Sequence, residues 1–522
     1  MKNSIFSLLF IVLFSANFGQ NIPIRINHSV YNFLERHESL GHIKEGYWST
    51  KPYTFNQVQS MLHEIEGVDS LLSETEKIIL NRYLMEFNRD FDDDTILMPW
   101  DKEIYAKLFS PKTEKHPVFF AQYEKEDTKG WMSWKERFLI QMKDGNTRQY
   151  FEDNVGIYGE KGQLSFSTQY QYFRLEKNES WLTPPESFKE GFLLDFPDLM
   201  WLTWDYPISS ITYAHNDFNI GLYRQPIYWG YSPSLSPLLS NNVTPLPYME
   251  WSAEFPYIRY KHIHGRLSPN EQILPDTINT FRNLAAHRVE FDVNPSFEFS
   301  FNEFIVYANR ELEWGYLNPV NFLFAEEHIE GNRDNLLMAL DFKYRPFNGL
   351  NIYGTWFLDE LNFFKLFSGW WGNKFVFQSG LTFTPKQNVP NINIEYTAAR
   401  PWTYSHQYPS ASFTSAGHIL GFPLGPNSQV LAIRSQWQSN VALHLAFEYL
   451  SIKQGSGEGS DPLASYVDHG EEINTFLSGD IQRSSEMRLN IHYRLMESIR
   501  IISNTSYTDD TFMFENGVEF RW

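Results

Sequence analysis

The chain has 522 residues, a formal net charge of −20 at pH 7 and no cysteine, and 17% of its residues are Phe, Tyr or Trp. The lack of cysteine excludes disulfides, thiolate nucleophiles and cysteine-ligated metals. The negative charge argues against nucleic acid and against docking on anionic lipid. The length suffices for one very large domain with a small domain beside it.

Residues 1–19 predict a cleaved secretory signal peptide. Lys2 provides a basic start, an apolar run follows from Ile5 to Phe14, and small residues stand at Ser15 and Gly19. The run is shorter than the roughly 20 residues that a membrane-spanning helix needs. No later stretch of the sequence is long enough either, so any membrane crossing must use strands.

Residues 20–95 have helical periodicity and predict a small three-helix unit that packs against itself or against the barrel mouth. A glycine that would end the first helix follows its apolar stripe, and capping boxes open the second and third helices: Gly41, Thr54 with Gln57, and Ser73 with Glu76. The acidic run Asp90–Asp94 is interpreted as a solvated linker rather than a cation site, because it lacks the glycine and final glutamate of a calcium loop.

Residues 96–522 change to a period of two, which predicts strands. In Met487–Leu495 apolar side chains alternate with polar and charged ones, and Phe512–Trp522 does the same and ends on an aromatic residue. A soluble sandwich also alternates, but about sixteen to eighteen such segments behind a signal peptide favour a membrane barrel. The same pattern occurs in Gln163–Tyr172, Arg288–Val293, Leu336–Tyr344, Phe375–Phe383, Ile392–Ala398 and Val441–Tyr449.

The predicted fold is therefore mainly β: a transmembrane antiparallel β-barrel of about 18 strands, preceded by the helical segment. Polar segments at Gln454–Ser485 and Lys177–Gly191 predict outer loops. Residues Phe218–Pro247 break the alternation with several prolines, which central strands do not accommodate. This irregular segment is expected inside the barrel or outside the lipid zone.

A family resemblance rests on this irregular segment. Tyr228-Trp229-Gly230, then Leu238–Asn242 followed by Pro245 and Pro247, resembles the signature of the capsule assembly Wzi family of outer-membrane proteins. Further matches follow in order: His287-Arg288, Asn302-Glu303, Tyr307, Arg310, Asn318-Pro319, Asp334-Asn335, Tyr353 and Asp359. The resemblance covers nearly the whole mature chain. It implies an outer-membrane barrel with a periplasmic helical bundle, acting as a lectin that holds capsular polysaccharide on the cell surface.

Sugar recognition needs aromatic faces, planar amides, carboxylates and guanidinium groups. Each candidate also has a purely structural interpretation: Trp229 as a core residue, the amides as turn formers, and Glu303 with Arg310 as an ion pair in the lumen wall. The candidate carbohydrate-binding residues are Arg224, Trp229, Asn241, Asn242, Glu303, Arg310, Asn318, Asn335 and Asp359.

An enzymatic function has little support in the sequence. His262 and His264 share a strand face and suit zinc, but no third ligand stands at a recognisable spacing. Glu326 and Glu327 are adjacent, so on a strand they would point to opposite faces and could not act as a glycosidase pair. We expect neither catalysis nor a cofactor nor a metal.

Two functions remain open at the level of the sequence. The first is a lectin-like barrel that binds capsular or exopolysaccharide and helps attach or assemble it. The second is a diffusion channel or a solute or glycan transporter, against which the proline-rich segment and the helices argue, since both could block the pore. Expected partners are the polysaccharide and outer-membrane lipid, with the polysaccharide export machinery as a further candidate and no nucleic acid. The expected location is the outer membrane of a Gram-negative cell.

Overall fold

The computed structural model describes residues 21–44, 49–88, 121–125, 127–178, 181, 194–195, 200–270, 281–366, 368–470, 472–474 and 476–521. The predicted signal peptide, the acidic run Asp90–Asp94, most of the predicted loop Lys177–Gly191 and Trp522 lie outside these residues.

Eighteen long antiparallel strands form a closed barrel, which confirms the fold predicted from the period of two. They are β1 Thr128–Lys143, β2 Asn146–Lys161, β3 Leu164–Glu176, β4 Trp201–His215, β5 Phe218–Gln225, β6 Leu246–Phe255, β7 Ile258–Leu267, β8 Arg282–Asn294, β9 Phe297–Ala308, β10 Asn335–Phe347, β11 Leu350–Glu360, β12 Lys374–Phe383, β13 Ile392–Ala399, β14 Ser428–Gln438, β15 Leu443–Gly455, β16 Ile481–Arg494, β17 Ile499–Thr508 and β18 Thr511–Arg521. Each strand pairs with its neighbours in the chain, and β18 pairs with β1 to close the barrel.

The alternation of side chains separates a lipid face from a lumen face. In β3, Ser165 and Gln169 are buried on the lumen side, whereas Leu164, Phe166 and Tyr170 are exposed on the outer side. An outer apolar band with a polar interior is the arrangement of a membrane barrel. The side chains of most other strands divide in the same way.

Short turns connect the strands at one end of the barrel. At the other end most connections are long loops, apart from the two-residue turns between β1 and β2 and between β17 and β18. The long loops include residues 309–334, 400–427 and 456–480. In outer-membrane barrels the short turns face the periplasm and the long loops face the exterior. The outer loop predicted at Gln454–Ser485 is wrong at both ends, because β15 continues to Gly455 and β16 begins at Ile481.

Three helices, α1 Val30–Ser39, α2 Phe55–Glu66 and α3 Glu74–Asn88, cover the short-turn end. Both predicted capping boxes are confirmed, and in α2 the Thr54 amide donates to Gln57 Oε1 at 2.9 Å. The helices share an apolar core of their own. They are fixed to the strand turns by polar contacts, for example from Arg36 Nη2 to the Pro385 carbonyl at 3.0 Å.

Two further helices, α4 Trp314–Leu317 and α5 Leu323–Ile329, lie in the loop between β9 and β10. None of the helices in the described ranges is long and apolar enough to cross a membrane.

Residues 226–245 and 400–427 fold into the lumen, and we call them the plug. Trp229, Leu238, Phe413 and Phe422 are completely buried there and pack against inward-facing residues of the wall such as Phe304. The location inside the barrel is therefore confirmed for the proline-rich segment. The prediction was wrong for Phe218–Gln225, which forms β5, because the alternation of that short strand is obscured by the prolines that follow it.

A short sheet connects the plug to the helical bundle. Tyr228–Trp229 pairs on one side with Leu239–Ser240 of the plug and on the other with Thr50–Lys51, just before α2. The bundle and the plug therefore form one continuous structure through the lumen.

The loop 309–334 takes a different path, and we call it the outer-wall loop. Phe304 and Val306 of β9 pack in the lumen, so the intervening Ile305 and the following Tyr307 must point away from it. Both are buried under residues of α4 and α5. The outer-wall loop therefore lies along the outside of the barrel and replaces lipid there.

Candidate functional site

Three loops meet at the long-loop end of the barrel, next to β11 and β12. The Trp371 amide donates to the Glu472 carbonyl at 3.1 Å, and the Asn474 amide donates to the Gly369 carbonyl at 2.9 Å. Arg400 joins the third loop to them, since its Nε donates to the Asn373 carbonyl at 2.8 Å. The hydrogen bonds fix the relative positions of loops that are distant in the sequence.

The joined loops present a group of aromatic rings, which we call the aromatic loop surface: Trp370, Trp371, Tyr408, Tyr466 and His469. Trp371 stacks on His469 with ring centroids 3.8 Å apart and lies 5.8 Å from the Tyr466 ring and 5.9 Å from the Trp370 ring. Tyr408 is 54% exposed and the other four are half-buried, so each of these side chains is partly accessible to solvent.

A buried lysine supports this surface from below. Lys374 Nζ lies 3.9 Å from the centroid of the Tyr466 ring and is 3.3 Å from Asp359 and 3.0 Å from Glu360. Asp359 also accepts a hydrogen bond from the Tyr404 amide at 2.6 Å. Glu360 is about half exposed and places a carboxylate beside the rings.

The electrostatic environment keeps nearby rings neutral at physiological pH. Burial, with the positive charge of Lys374 added, lowers the pKa of His406 to about 4. Burial also raises the pKa of Tyr466, although Lys374 opposes the shift. The His406 ring contacts both Tyr408 and Tyr466, with centroids 5.6 and 5.8 Å away. It therefore acts as a neutral spacer between two members of the surface.

Such a surface suits a saccharide. Open aromatic faces bind the apolar C–H patches of sugar rings, and a neighbouring carboxylate accepts hydrogen bonds from vicinal hydroxyl groups. Among the residues that the structure describes, no three His, Asp or Glu side chains are grouped so as to hold a metal ion.

Comparison with known proteins gives a fold and no sequence family. No family model and no curated protein matches the chain. Among solved structures, Escherichia coli Wzi superimposes with a TM-score of 0.59 at 12% sequence identity, over 95% of this chain and 99% of that one. The chain has the fold of Wzi. The resemblance indicated by the sequence is thus confirmed at the level of the fold.

Wzi is described as a carbohydrate-binding β-barrel and an outer-membrane protein involved in group 1 capsule assembly. Pseudomonas aeruginosa OprD covers 75% of this chain and 95% of its own at 10% identity, with a TM-score of 0.43. Pseudomonas aeruginosa OpdK with vanillate covers 75% and 98% at 8% identity, with a TM-score of 0.46. The two lower scores reflect a likeness of barrels in general.

Four of the predicted carbohydrate-binding residues belong to the plug or its edge. Trp229 is fully buried, 5.6 Å from the Phe304 ring. Asn241 has a left-handed backbone with φ of 58°, and Asn242 Nδ2 donates to the Ile419 carbonyl at 3.1 Å. Arg224 lies at the long-loop end of β5, on its outer side. Trp229 and Asn242 therefore pack or bond within the plug and wall, and none of the four belongs to the aromatic loop surface.

Three more predicted residues belong to the outer-wall loop or lie beneath it. Arg310 Nη1 donates to Asp334 Oδ1 at 2.7 Å and so closes the base of the loop. Asn318 Oδ1 accepts from the Val320 amide at 3.2 Å. Glu303 faces His287 across 3.6 Å on the outside of the barrel. The interpretation of Glu303 and Arg310 as an ion pair in the lumen is therefore wrong, because Glu303 points outward and Arg310 pairs with Asp334.

The last two predicted residues support the aromatic loop surface. Asp359 holds Lys374 under it, as described above. Asn335 Nδ2 donates to the Ala411 carbonyl at 2.9 Å, which anchors the turn Pro409–Ala411 next to Tyr408. Both are buried, so they position other residues.

The residues considered for catalysis are placed in the outer-wall region as well. His262 and His264 share a face as predicted, but this face lies under the outer-wall loop, where His264 Nε2 is 2.8 Å from the Tyr307 hydroxyl. Glu326 and Glu327 lie on α5, so the strand assumed for them is wrong.

The sequence reasoning missed Trp370 and Trp371. Two adjacent tryptophans between Gly369 and Gly372, directly before a strand, are unusual in a loop and would have drawn attention to it. Their partners Tyr466 and His469 lie in another loop, and no spacing rule connects the two.

Proposed function

We propose that the protein binds capsular or other extracellular polysaccharide at the aromatic loop surface, and that it helps attach or assemble the polymer on the cell surface without catalysing a reaction. The observation that carries the proposal is the cluster of partly open rings around Trp371 on the long-loop end of a plugged barrel. The carbohydrate-binding description of Wzi, whose fold the chain shares, supports the same class of ligand. The polysaccharide export machinery is the partner that would deliver it.

The plug favours binding over transport. Two segments of the chain fill a large part of the lumen with apolar side chains, and a helical bundle covers the periplasmic end. A diffusion channel requires a continuous wet path, whereas a binding protein only requires its outer surface.

The direct test measures binding of the purified protein in detergent to extracellular polysaccharide from its parent strain. We expect Trp371→Ala to weaken binding by about tenfold, since losing one aromatic contact of about 1.4 kcal/mol changes affinity by that factor. The matched control is Trp314→Ala, which removes an 80% exposed tryptophan from the outer-wall loop and should bind like the wild type. Unchanged binding by Trp371→Ala, or an equal loss in the control, would contradict the proposal.

Single-channel recording distinguishes the binding function from the alternative, a diffusion channel or transporter. The purified protein in a planar bilayer should show little or no stable conductance. Large, stable conductance that a small solute reduces would favour a diffusion channel or transporter instead.

A further inference from the structure

A cavity of about 520 Å³ lies between the helical bundle and the barrel wall. Its walls come from the segment before α1, from α3, from β1–β3 and from β15–β18, so it occupies the half of the lumen that the plug leaves free. The volume is within the range of about 300–1,000 Å³ that small-molecule sites usually have. The cavity is distant in the fold from the aromatic loop surface, which belongs to the opposite end of the barrel.

The lining of this cavity is strongly basic. Within the described part of the chain, seven lysine and arginine side chains line it against three carboxylates. Glu152, which contacts Lys135 and Arg137 from behind, offsets one more positive charge. An excess of three positive charges remains with the histidines neutral, in a chain whose net charge is −20. We call it the basic cavity.

Two of the carboxylates in the cavity lining already pair with arginines of the same lining. The Glu519 carboxylate lies 2.6 Å from Arg137, 2.5 Å from Arg521 and 3.7 Å from Arg500. Glu497 pairs with Arg82. One carboxylate therefore serves three guanidinium groups, and it cannot fully compensate all of them.

Two further guanidinium groups, those of Arg25 and Arg494, form no direct salt bridge with a carboxylate among the described residues. The guanidinium of Arg25 has the neutral amide of Gln169 as its hydrogen-bond partner. The buried Nε of Arg494 has no hydrogen-bond partner within the described ranges. Unpaired buried charge is costly, and guanidinium groups form strong hydrogen bonds with carboxylate and phosphate groups.

The basic groups also act on the one carboxylate that the helices contribute. Burial alone would raise the pKa of Glu86, but His28 at 3.1 Å and the charges of Arg82 and Arg494 hold it well below its ordinary range. The same field would stabilise a carboxylate or phosphate brought in by a ligand.

We propose that the basic cavity binds the carboxylate or phosphate group of an anionic saccharide-sized molecule. Guanidinium groups provide the paired donors that both kinds of anion require, and neighbouring polar groups such as Asn154 and His492 suit hydroxyl groups. The inference goes beyond the proposed function, because the site, its position and its ligand charge are all different from those of the aromatic loop surface.

The test is isothermal titration calorimetry on the full chain in detergent with four probes: glucuronate, glucose 1-phosphate, inorganic phosphate and glucose. The expected result is binding of the anions, weakening as salt is raised, and no binding of glucose. Binding of glucuronate alone would identify a carboxylate source, and binding of the phosphates alone would identify a phosphate source. Absence of anion binding, or equal binding of glucose, would overturn the proposal.

The matched variants are Arg494→Gln in the basic cavity and Arg488→Gln on the same strand. Arg488 also faces the lumen, but it pairs with Glu486 at 2.9 Å and does not line the cavity. We expect Arg494→Gln to weaken anion binding by about tenfold and Arg488→Gln to leave it unchanged. Equal behaviour of the two variants would contradict the assignment.

The test does not depend on one variant, and it can be told apart from the test of the proposed function. If Arg494→Gln fails to fold, the salt dependence and the glucose comparison on the wild type still decide. Trp371→Ala should retain anion binding in the basic cavity, so failure of the polysaccharide proposal and failure of this one give different patterns.

Discussion

The two halves of the lumen differ in how far their charged side chains are compensated. Next to the plug, buried charges are paired within the chain, for example Arg288 with Asp341 at 2.8 Å and Arg434 with Glu395 at 3.2 Å. Against β6–β14 the plug forms an apolar core with Trp229, Leu238 and Phe413 completely buried. Against β1–β3 and β15–β18 the wall carries arginine, lysine and glutamate around the basic cavity. The plug half can hold loops in place without any ligand, whereas the half around the basic cavity leaves positive charge that its own carboxylates do not match.

The difference shows how one barrel can combine a tightly packed plug with a charged cavity. Burial of large apolar side chains stabilises the plug and positions the loops that continue above it. Charged side chains gain little from burial by themselves, so a basic lining is better suited to binding than to stability.

Trp229→Ala should have the largest effect on stability. The side chain is fully buried in the plug, and removal of such a residue typically costs about 3–5 kcal/mol because a cavity is left behind. Thermal unfolding in detergent should show a clearly lower midpoint than the wild type. Trp251→Ala, on the lipid-facing side of β6 and 40% exposed, is the control and should shift the midpoint much less. Equal shifts would mean that the plug does not act as a core.

A pH dependence should follow from His406, which lies in the second segment of the plug. Its pKa of about 4 is below the ordinary value, so the unfolded chain binds more protons between about pH 6.5 and pH 4. Stability should therefore fall as the pH is lowered through this window, by up to about 3 kcal/mol, and the contribution should level off below it.

The measurement compares thermal midpoints of the wild type and His406→Asn at about pH 7 and about pH 4. Asparagine preserves an acceptor for the Tyr408 amide and has no charge to gain. The wild type should lose more stability on acidification than the variant. Parallel losses would show that His406 is not protonated on unfolding.

Arg494→Gln should have the smallest effect on stability, although its effect on anion binding is large. Removal of one cation from a lining with excess positive charge relieves repulsion, so the thermal midpoint should stay within about 0.5 kcal/mol of the wild type or rise. A marked loss of stability would mean that Arg494 is structurally required, and the contrast between the two halves would fail.

Much of the fold could be predicted from the sequence because its signals are local. The alternation in Met487–Leu495 follows directly from the geometry of a strand between lipid and lumen, and the Thr54–Gln57 capping box lies within one helical turn. Prolines located the first plug segment, residues 226–245, in the same way, although they obscured β5, and the second segment, 400–427, was not predicted.

The candidate site could not be predicted, because it depends on contacts between distant loops. Trp371 and His469 stack only after β11–β12 and β15–β16 bring their loops together. Alternation also cannot tell whether an outward residue meets lipid or another part of the chain, and Glu303 was misplaced for this reason. The roles of the predicted sugar-binding residues remain predictions, although two of them, Asp359 and Asn335, support the aromatic loop surface.

The most direct test of the central claim is the distribution of surface polysaccharide between cells and culture medium. It should be measured in a strain with the gene deleted and complemented with the wild type, Trp371→Ala or Trp314→Ala. Attachment through the aromatic loop surface predicts that deletion and Trp371→Ala move polysaccharide into the medium without changing its total amount, while Trp314→Ala behaves like the wild type. Polysaccharide that stays on the cells after deletion would contradict the claim.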